Sequence, residues 1–141
     1  MLIILGDRYE ALSIASASLF MRVPIGHIHG GEVTVGSIDD SIRHSISKMS
    51  WWHFVATTQY RKRVIQLGEN PNRTFLVGGM GVDTIKKTKL LKKKNLEKKL
   101  KFKFGKKNLL ITFHPVTNET GNNKQQIKEI LRTLLELKDT K

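Results

Sequence analysis

The chain has 141 residues, a formal net charge of +13 and no cysteine. That length suits a single domain around one hydrophobic core. The lack of cysteine excludes a disulfide framework and thiolate chemistry, and it fits a reducing, cytoplasmic setting. No apolar run approaches the ~18 residues that a membrane span needs, and Met-Leu-Ile-Ile-Leu-Gly-Asp does not read as a signal peptide.

The chain opens on Leu2–Leu5, a short apolar run of strand type ended by Gly6-Asp7. Arg8–Phe20 follows as a helix that is apolar on most sides, so it is expected to be well buried. Val23–Ile28 is a second strand, with Pro24 tolerated near its start. Asp39 or Asp40 can cap a helix running to about Ser50. Trp52–Ala56 is a third strand. Thr57 or Thr58 caps a helix to about Leu67, which Gly68 stops. Arg73–Val77 is a fourth strand, followed by Gly78-Gly79-Met80-Gly81. Val82–Lys103 reads as one Lys-rich helix. Asn108–Phe113 is a fifth strand, broken by His114-Pro115, and Gln125–Leu137 is the last helix. Trp51, Trp52 and Phe54 are expected in the core.

Strands alternating with helices imply βαβ units and an α/β fold with a mostly parallel sheet. Leu2–Leu5 looks like an interior strand, and no strand follows the fifth. The chain therefore reads as the middle of a larger two-domain protein. Residues 1–85 would form most of one Rossmann-like domain, 86–107 a Lys-rich connector, and 108–141 the first βα unit of the next domain.

The charge is unevenly placed. Residues 1–85 hold 8 Lys+Arg against 7 Asp+Glu, and residues 86–141 hold 17 against 5. A run like Lys86–Lys107 is commonly a solvated helix face or linker. No nucleic-acid motif accompanies it, so no nucleic-acid partner is expected. A non-catalytic remnant that binds polyanions through this run is the alternative from a different class.

Residues 26–48 carry the chemistry. In 23 positions they gather three histidines, three carboxylates, four glycines, an arginine and a lysine. They leave the second strand and enter a helix, the place where α/β enzymes hold ligands. His27 and His29 alternate in direction along the strand exit. His27 suits a hydrogen-bonded core position, and His29, beside Gly30-Gly31, suits a cleft. Glu32 follows the glycines. Asp39 and Arg43 lie i, i+4, on one helix face, with Asp40 adjacent; His44 points elsewhere. Asp7, at the end of the first strand, suits a base or a ligand for substrate hydroxyls. The other reading for Asp7 is a helix cap. His114, at the end of the fifth strand, suits a phosphate or a leaving-group oxygen. No third ligand at metal spacing joins the histidines, so no metal is expected.

Leu-Gly-Asp-Arg-Tyr-Glu (5–10), Pro-Ile-Gly-His-Ile-His-Gly-Gly-Glu-Val-Thr (24–34), Ile-Asp-Asp-Ser-Ile-Arg-His-Ser-Ile-Ser-Lys-Met-Ser (38–50) and Thr-Phe-His-Pro-Val-Thr (112–117) resemble the UDP-N-acetylglucosamine 2-epimerases. The wording is most similar to the hydrolysing branch that feeds sialic and related nonulosonic acids. The resemblance implies two Rossmann-like domains of GT-B type with a nucleotide sugar between them. It implies loss of the sugar's C2 proton with departure of UDP, then addition of water and reprotonation at C2. It implies no metal or nicotinamide cofactor, and homo-oligomeric full-length relatives. By position, Asp7 and Asp39 match acid/base carboxylates, with Asp40 beside the latter. Arg43 matches the arginine of the same helix, and His114 matches a histidine near the UDP phosphates. The sequence departs at His29, which fills a slot where many relatives carry a catalytic glutamate. Either Glu32 supplies that carboxylate or His29 does the work itself. The non-hydrolysing branch, which interconverts two UDP-sugars, is the nearer alternative.

Overall fold

The computed structural model describes residues 1–115 and 121–141. The chain divides into two compact units, Met1–Lys87 and Thr88–Lys141.

The first unit is a parallel sheet of four strands in the order β1 (Leu2–Leu5), β2 (Ile25–Ile28), β3 (Trp52–Val55), β4 (Thr74–Leu76). The register aligns Ile4 with His27, His27 with His53, and His53 with Thr74. Helices α1 (Tyr9–Phe20), α2 (Asp39–Met49) and α3 (Thr58–Gln66) make the three crossovers. The strands are taken in sequential order, so right-handed crossovers put all three helices on one face. That face holds the core: Ile4, Ile25, Ala15 and Ile46 are buried together, with Leu2, Leu12, Ile42 and Met49 packed against them. The opposite face carries Ile3, Leu5, Ile28, Trp52, Phe54 and Phe75. Ile3, Leu5 and Phe75 are exposed there, and Phe54 stacks on Phe75 with ring centroids 5.6 Å apart.

Most expected elements form within a residue or two, and several differ for identifiable reasons. Helix α1 buries only Ala15 completely, and Ile14, Leu19 and Phe20 are exposed. It lies over the edge strand β1 and touches α2 on one side, so its outer side meets no partner among the described residues. Neither Asp39 nor Asp40 caps α2. Ile38 holds the cap position, and the Ser37 hydroxyl accepts from the Asp39 N–H at 3.1 Å. Thr57 does cap α3, accepting from the Tyr60 N–H. Trp51 is exposed rather than core, with the Arg73 guanidinium 3.6 Å over its ring.

The expected long Lys-rich helix is two short ones, α4 (Met80–Lys87) and α5 (Lys93–Leu100). An unbroken helix would align like charges such as Lys89 and Lys93 at i, i+4. Instead Lys92 is extended, and Lys101 ends α5 in the left-handed region at φ 53°. In the second unit, α6 (Asn123–Leu135) forms, but Asn108–Phe113 is not a strand. The pairing nearby is a single bridge between Lys107 and Thr140. A lone extended segment with no ladder leaves its side chains in water, and Leu110 is 99% exposed. No helix among the described residues is long and apolar enough to cross a membrane.

Candidate active site

The exits of β1 and β2 and the first turns of α2 meet at the carboxyl edge of the sheet. Arg43 joins them. Its side chain is 5% exposed, and a buried guanidinium must be paired. Nη1 donates to the Asp40 carboxylate at 2.8 Å and to the Glu32 carbonyl at 2.7 Å. Nη2 donates to the Asp7 carboxylate and, at 3.2 Å, to the Thr34 hydroxyl. The fork geometry of arginine lets one group hold two carboxylates at once. The Thr34 N–H donates to Asp40 at 2.6 Å, which fixes the loop against the helix.

Arg43 thus pairs with Asp40 at i, i+3 and with Asp7, not with Asp39 at i, i+4 as the spacing suggested. Asp39 instead accepts from the Ser37 hydroxyl at 2.7 Å. Helical side chains lean toward the N-terminus, and Arg43 leans toward the β1 exit, where Asp40 and Asp7 lie.

His29 sits at φ 65°, the left-handed region that non-glycine residues seldom occupy. Its N–H donates to the Phe54 carbonyl at 2.9 Å, so the sheet ladder holds that backbone in place. Its Nδ1 lies 2.6 Å from the Glu32 carboxylate, and both side chains remain partly open to solvent. A residue of left-handed backbone whose imidazole is bound to a carboxylate at a strand exit is the kind of outlier that clusters at functional sites.

The glycines beside it are there for room. A Cβ on Gly31, which is at φ +77°, would meet the Tyr60 carbonyl oxygen at 2.4 Å. A Cβ on Gly30 would meet the Ser47 hydroxyl at 3.0 Å and His27 Nδ1 at 3.1 Å. The Arg63 guanidinium donates to the Gly31 carbonyl and pins the loop to α3. His27 is fully buried and hydrogen-bonded, and burial pushes its pKa down to about 4. His53, also buried, is lowered by the same cause, opposed by Glu69 at 3.1 Å.

The structure therefore gathers Asp7, His29, Glu32, Asp40 and Arg43, with Asp39 in the same helical turn as Asp40. His44 is half-buried with its Nδ1 unpaired. His114 belongs to the second unit and is exposed; residues 116 and 117 of its motif lie outside the described residues. Thr34 and Arg63 were not singled out from sequence. Thr34 follows Gly-Gly-Glu closely enough to be suspected, but Arg63 lies 32 residues from Gly31 and has no local signal. Among the described residues no group of three His, Asp or Glu side chains is placed to hold a metal ion.

A one-way parallel sheet, with two carboxylates paired to one buried arginine at the strand exits and an imidazole–carboxylate pair on the adjoining loop, defines a Rossmann-like α/β domain. The family model described as UDP-N-acetylglucosamine 2-epimerase matches residues 1–141. The chain belongs to that family. It is 51% identical over 139 residues to the GDP/UDP-N,N'-diacetylbacillosamine 2-epimerase (hydrolyzing) of Campylobacter jejuni, covering 99% of this chain and 36% of that protein. It is 42% identical over 140 residues to a polysialic acid biosynthesis protein of Escherichia coli, covering 97% of this chain and 35% of that one. The chain thus spans about a third of the length of the curated relatives it matches. Among solved structures it resembles the S. aureus MnaA–UDP co-structure, with a TM-score of 0.76 and 22% identity over 98% of this chain and 38% of that one. That likeness fixes the fold as part of a GT-B-type α/β architecture.

Proposed function

We propose that this chain carries the sugar-reacting part of a hydrolysing UDP-sugar 2-epimerase. The substrate is UDP-N-acetylglucosamine or a diacetamido relative such as UDP-N,N'-diacetylbacillosamine. The observation that carries this reading is the 51% identity, across nearly the whole chain, to a relative named for that hydrolysing reaction. The geometry supplies groups that suit it.

The reaction removes the proton at C2 while the C1–O bond to UDP breaks. The electron pair of the C–H bond becomes the C1–C2 double bond of a glucal, and UDP leaves with the pair of the C–O bond. Water then adds at C1, and a proton returns to C2 on the other face. The C2 proton is weakly acidic, so positioning of the base matters as much as its basicity. Asp7 and Asp40, held by the Arg43 fork, and Asp39 supply carboxylates of fixed direction. With Nδ1 bound to Glu32, His29 has Nε2 left for proton exchange, and the carboxylate stabilises the imidazolium as it forms. Glu32 thus serves through His29 in the slot that many relatives fill with glutamate. His114, from the second unit, is assigned to the UDP phosphates, where developing negative charge needs a donor. No metal or nicotinamide takes part in this scheme.

Residues 1–85 belong to the first domain of the longer arrangement, 86–107 to the connector and 108–141 to the start of the second domain. A cytoplasmic setting is part of the proposal, supported by a chain without cysteine, and homo-oligomers are proposed for the full-length relatives. The test is product analysis by NMR in deuterated water, with each UDP-sugar offered in turn. The expected products are UDP and a free 2-epimeric sugar bearing deuterium at C2. A UDP-linked epimer would assign the chain to the non-hydrolysing branch instead.

A further inference from the structure

The arginine-centred ion pairs are half of a closed ring of contacts, and the other half runs through a residue with no place in the chemistry above. His27 Nε2 lies 2.7 Å from the Gly6 carbonyl oxygen, and Nδ1 lies 3.0 Å from the Ser47 hydroxyl. Gly6 immediately precedes Asp7. Ser47 lies one helical turn beyond Arg43 on α2. The ring therefore closes from Asp7 through Gly6, His27, Ser47 and Arg43 back to Asp7.

Its proton positions follow from the partners. A carbonyl oxygen only accepts, so Nε2 carries the proton and donates it to Gly6. Nδ1 is then the acceptor, and the Ser47 hydroxyl donates to it. Both His27 and Ser47 are 0% exposed, so the bond between them is shielded from water, and the bond to Gly6 is partly buried. Burial holds the ring neutral across the physiological range, which keeps this single tautomer in place. Gly6 sits at φ +79°, a region that glycine adopts freely. Its N–H is held by the Ile28 carbonyl at 3.0 Å, and its carbonyl by His27. Gly30 leaves the space that the His27–Ser47 contact occupies.

We infer that His27 is a positioning residue for the site: through its Nε2–H bond to the Gly6 carbonyl it sets the direction in which Asp7 meets Arg43. This rests on the reading of Asp7 as an acid/base group, but the geometric role can be tested without any substrate. Glutamine can place an N–H where Nε2 stands and keep the Gly6 bond. Asparagine reaches only the δ position, so it can meet Ser47 but not Gly6. Both remove the ring from the core, so both lower the melting temperature.

The experiment compares the 15N-labelled chain with its His27→Gln and His27→Asn variants. The reporters are the exchange rate of the Gly6 amide, which donates to the Ile28 carbonyl at 3.0 Å, and the guanidinium proton signals of Arg43. Loss of this part-buried hydrogen bond should speed Gly6 exchange about five- to tenfold in His27→Asn. Its Arg43 guanidinium signals should broaden as well. His27→Gln should stay near the parent on both readouts. In the parent, nitrogen shifts should show the proton on Nε2. Equal effects of the two variants, or a proton on Nδ1, would overturn the positioning role and leave His27 as core filling. A clear split between the variants in a chain that turns over none of the UDP-sugars would uphold the tie and count against the reaction assigned to Asp7.

Discussion

Met1–Lys87 and Thr88–Lys141 are built from similar raw material, apolar runs alternating with amphipathic ones, and they end up differently. Among the described residues, every buried one lies in the first unit and none in the second. Helix α6 has its leucines on one side, yet Leu131 is 53% exposed and Leu135 88%. In the first unit each strand finds a neighbour, and each crossover helix then has a surface to cover. In the second, Asn108–Phe113 finds no ladder, so α6 has no sheet to cover. Local pattern forms a helix, but burial needs a partner surface, and most helical stability in proteins comes from that packing.

The largest expected contrast is in the core. Ile46→Ala should cost the first unit about 2–5 kcal/mol. Leu131→Ala, at an exposed site of the second, should stay within about 0.5 kcal/mol. Chemical denaturation followed by tryptophan fluorescence reads the first, since both tryptophans lie in that unit. Helical circular dichroism reads the second. A comparable loss at Leu131 would mean that the second unit has a core of its own.

Next comes the glycine loop. Gly31→Ala combines a left-handed backbone with a collision against the Tyr60 carbonyl, and should cost roughly 2–4 kcal/mol. Gly121→Ala shares the positive φ but meets nothing within 4 Å, so only the backbone penalty of about 1–2 kcal/mol applies. The two melts, run side by side, separate close approach from conformational strain.

Acid should then separate the units. His27 is held neutral with its pKa lowered to about 4, against 6.5 in an exposed chain. Between those values the unfolded state binds the extra proton, so stability falls as pH falls, by up to about 1.4 kcal/mol per pH unit from this group. The lowered pKa of His53 adds to the slope in the same direction. Unfolding of the first unit measured from pH 7 to pH 4 should steepen below about 6.5, and His27→Gln should flatten it. A slope that the variant leaves unchanged would refute the neutral buried imidazole.

The smallest effect belongs to the charge run. Replacing Lys92, Lys93 and Lys94 with Gln should change stability by no more than about 0.5 kcal/mol, because these side chains are solvated. A steep salt dependence of RNA binding that disappears in this variant would instead revive the polyanion reading.

The strands and helices of the first unit were legible because their periods and stop signals agree: Gly6, Thr57 and Gly68 all act where local chemistry places them. The candidate site was legible as a set of residues and less so as a set of contacts. Spacing alone paired Asp39 with Arg43, whereas the pairing was decided by Asp7, 36 positions away in sequence and brought to Arg43 by the β1–β2 register. Arg63 and Ser47 were hidden for the same reason, since their partners are distant in sequence. The fifth strand failed in the opposite sense. Its apolar run is real, but a strand is a property of two segments, and one segment cannot supply it.

NMR shift mapping of the labelled chain with UDP-N-acetylglucosamine and UDP-N,N'-diacetylbacillosamine asks directly whether the Arg43-centred cluster proposed above is a nucleotide-sugar site. Saturable shifts are expected at Asp7, at Gly30 to Thr34 and along the first turns of α2, and are expected to be lost in Arg43→Lys. Shifts confined to Lys86–Lys107, or no shifts at the strand exits at saturating ligand, would contradict it.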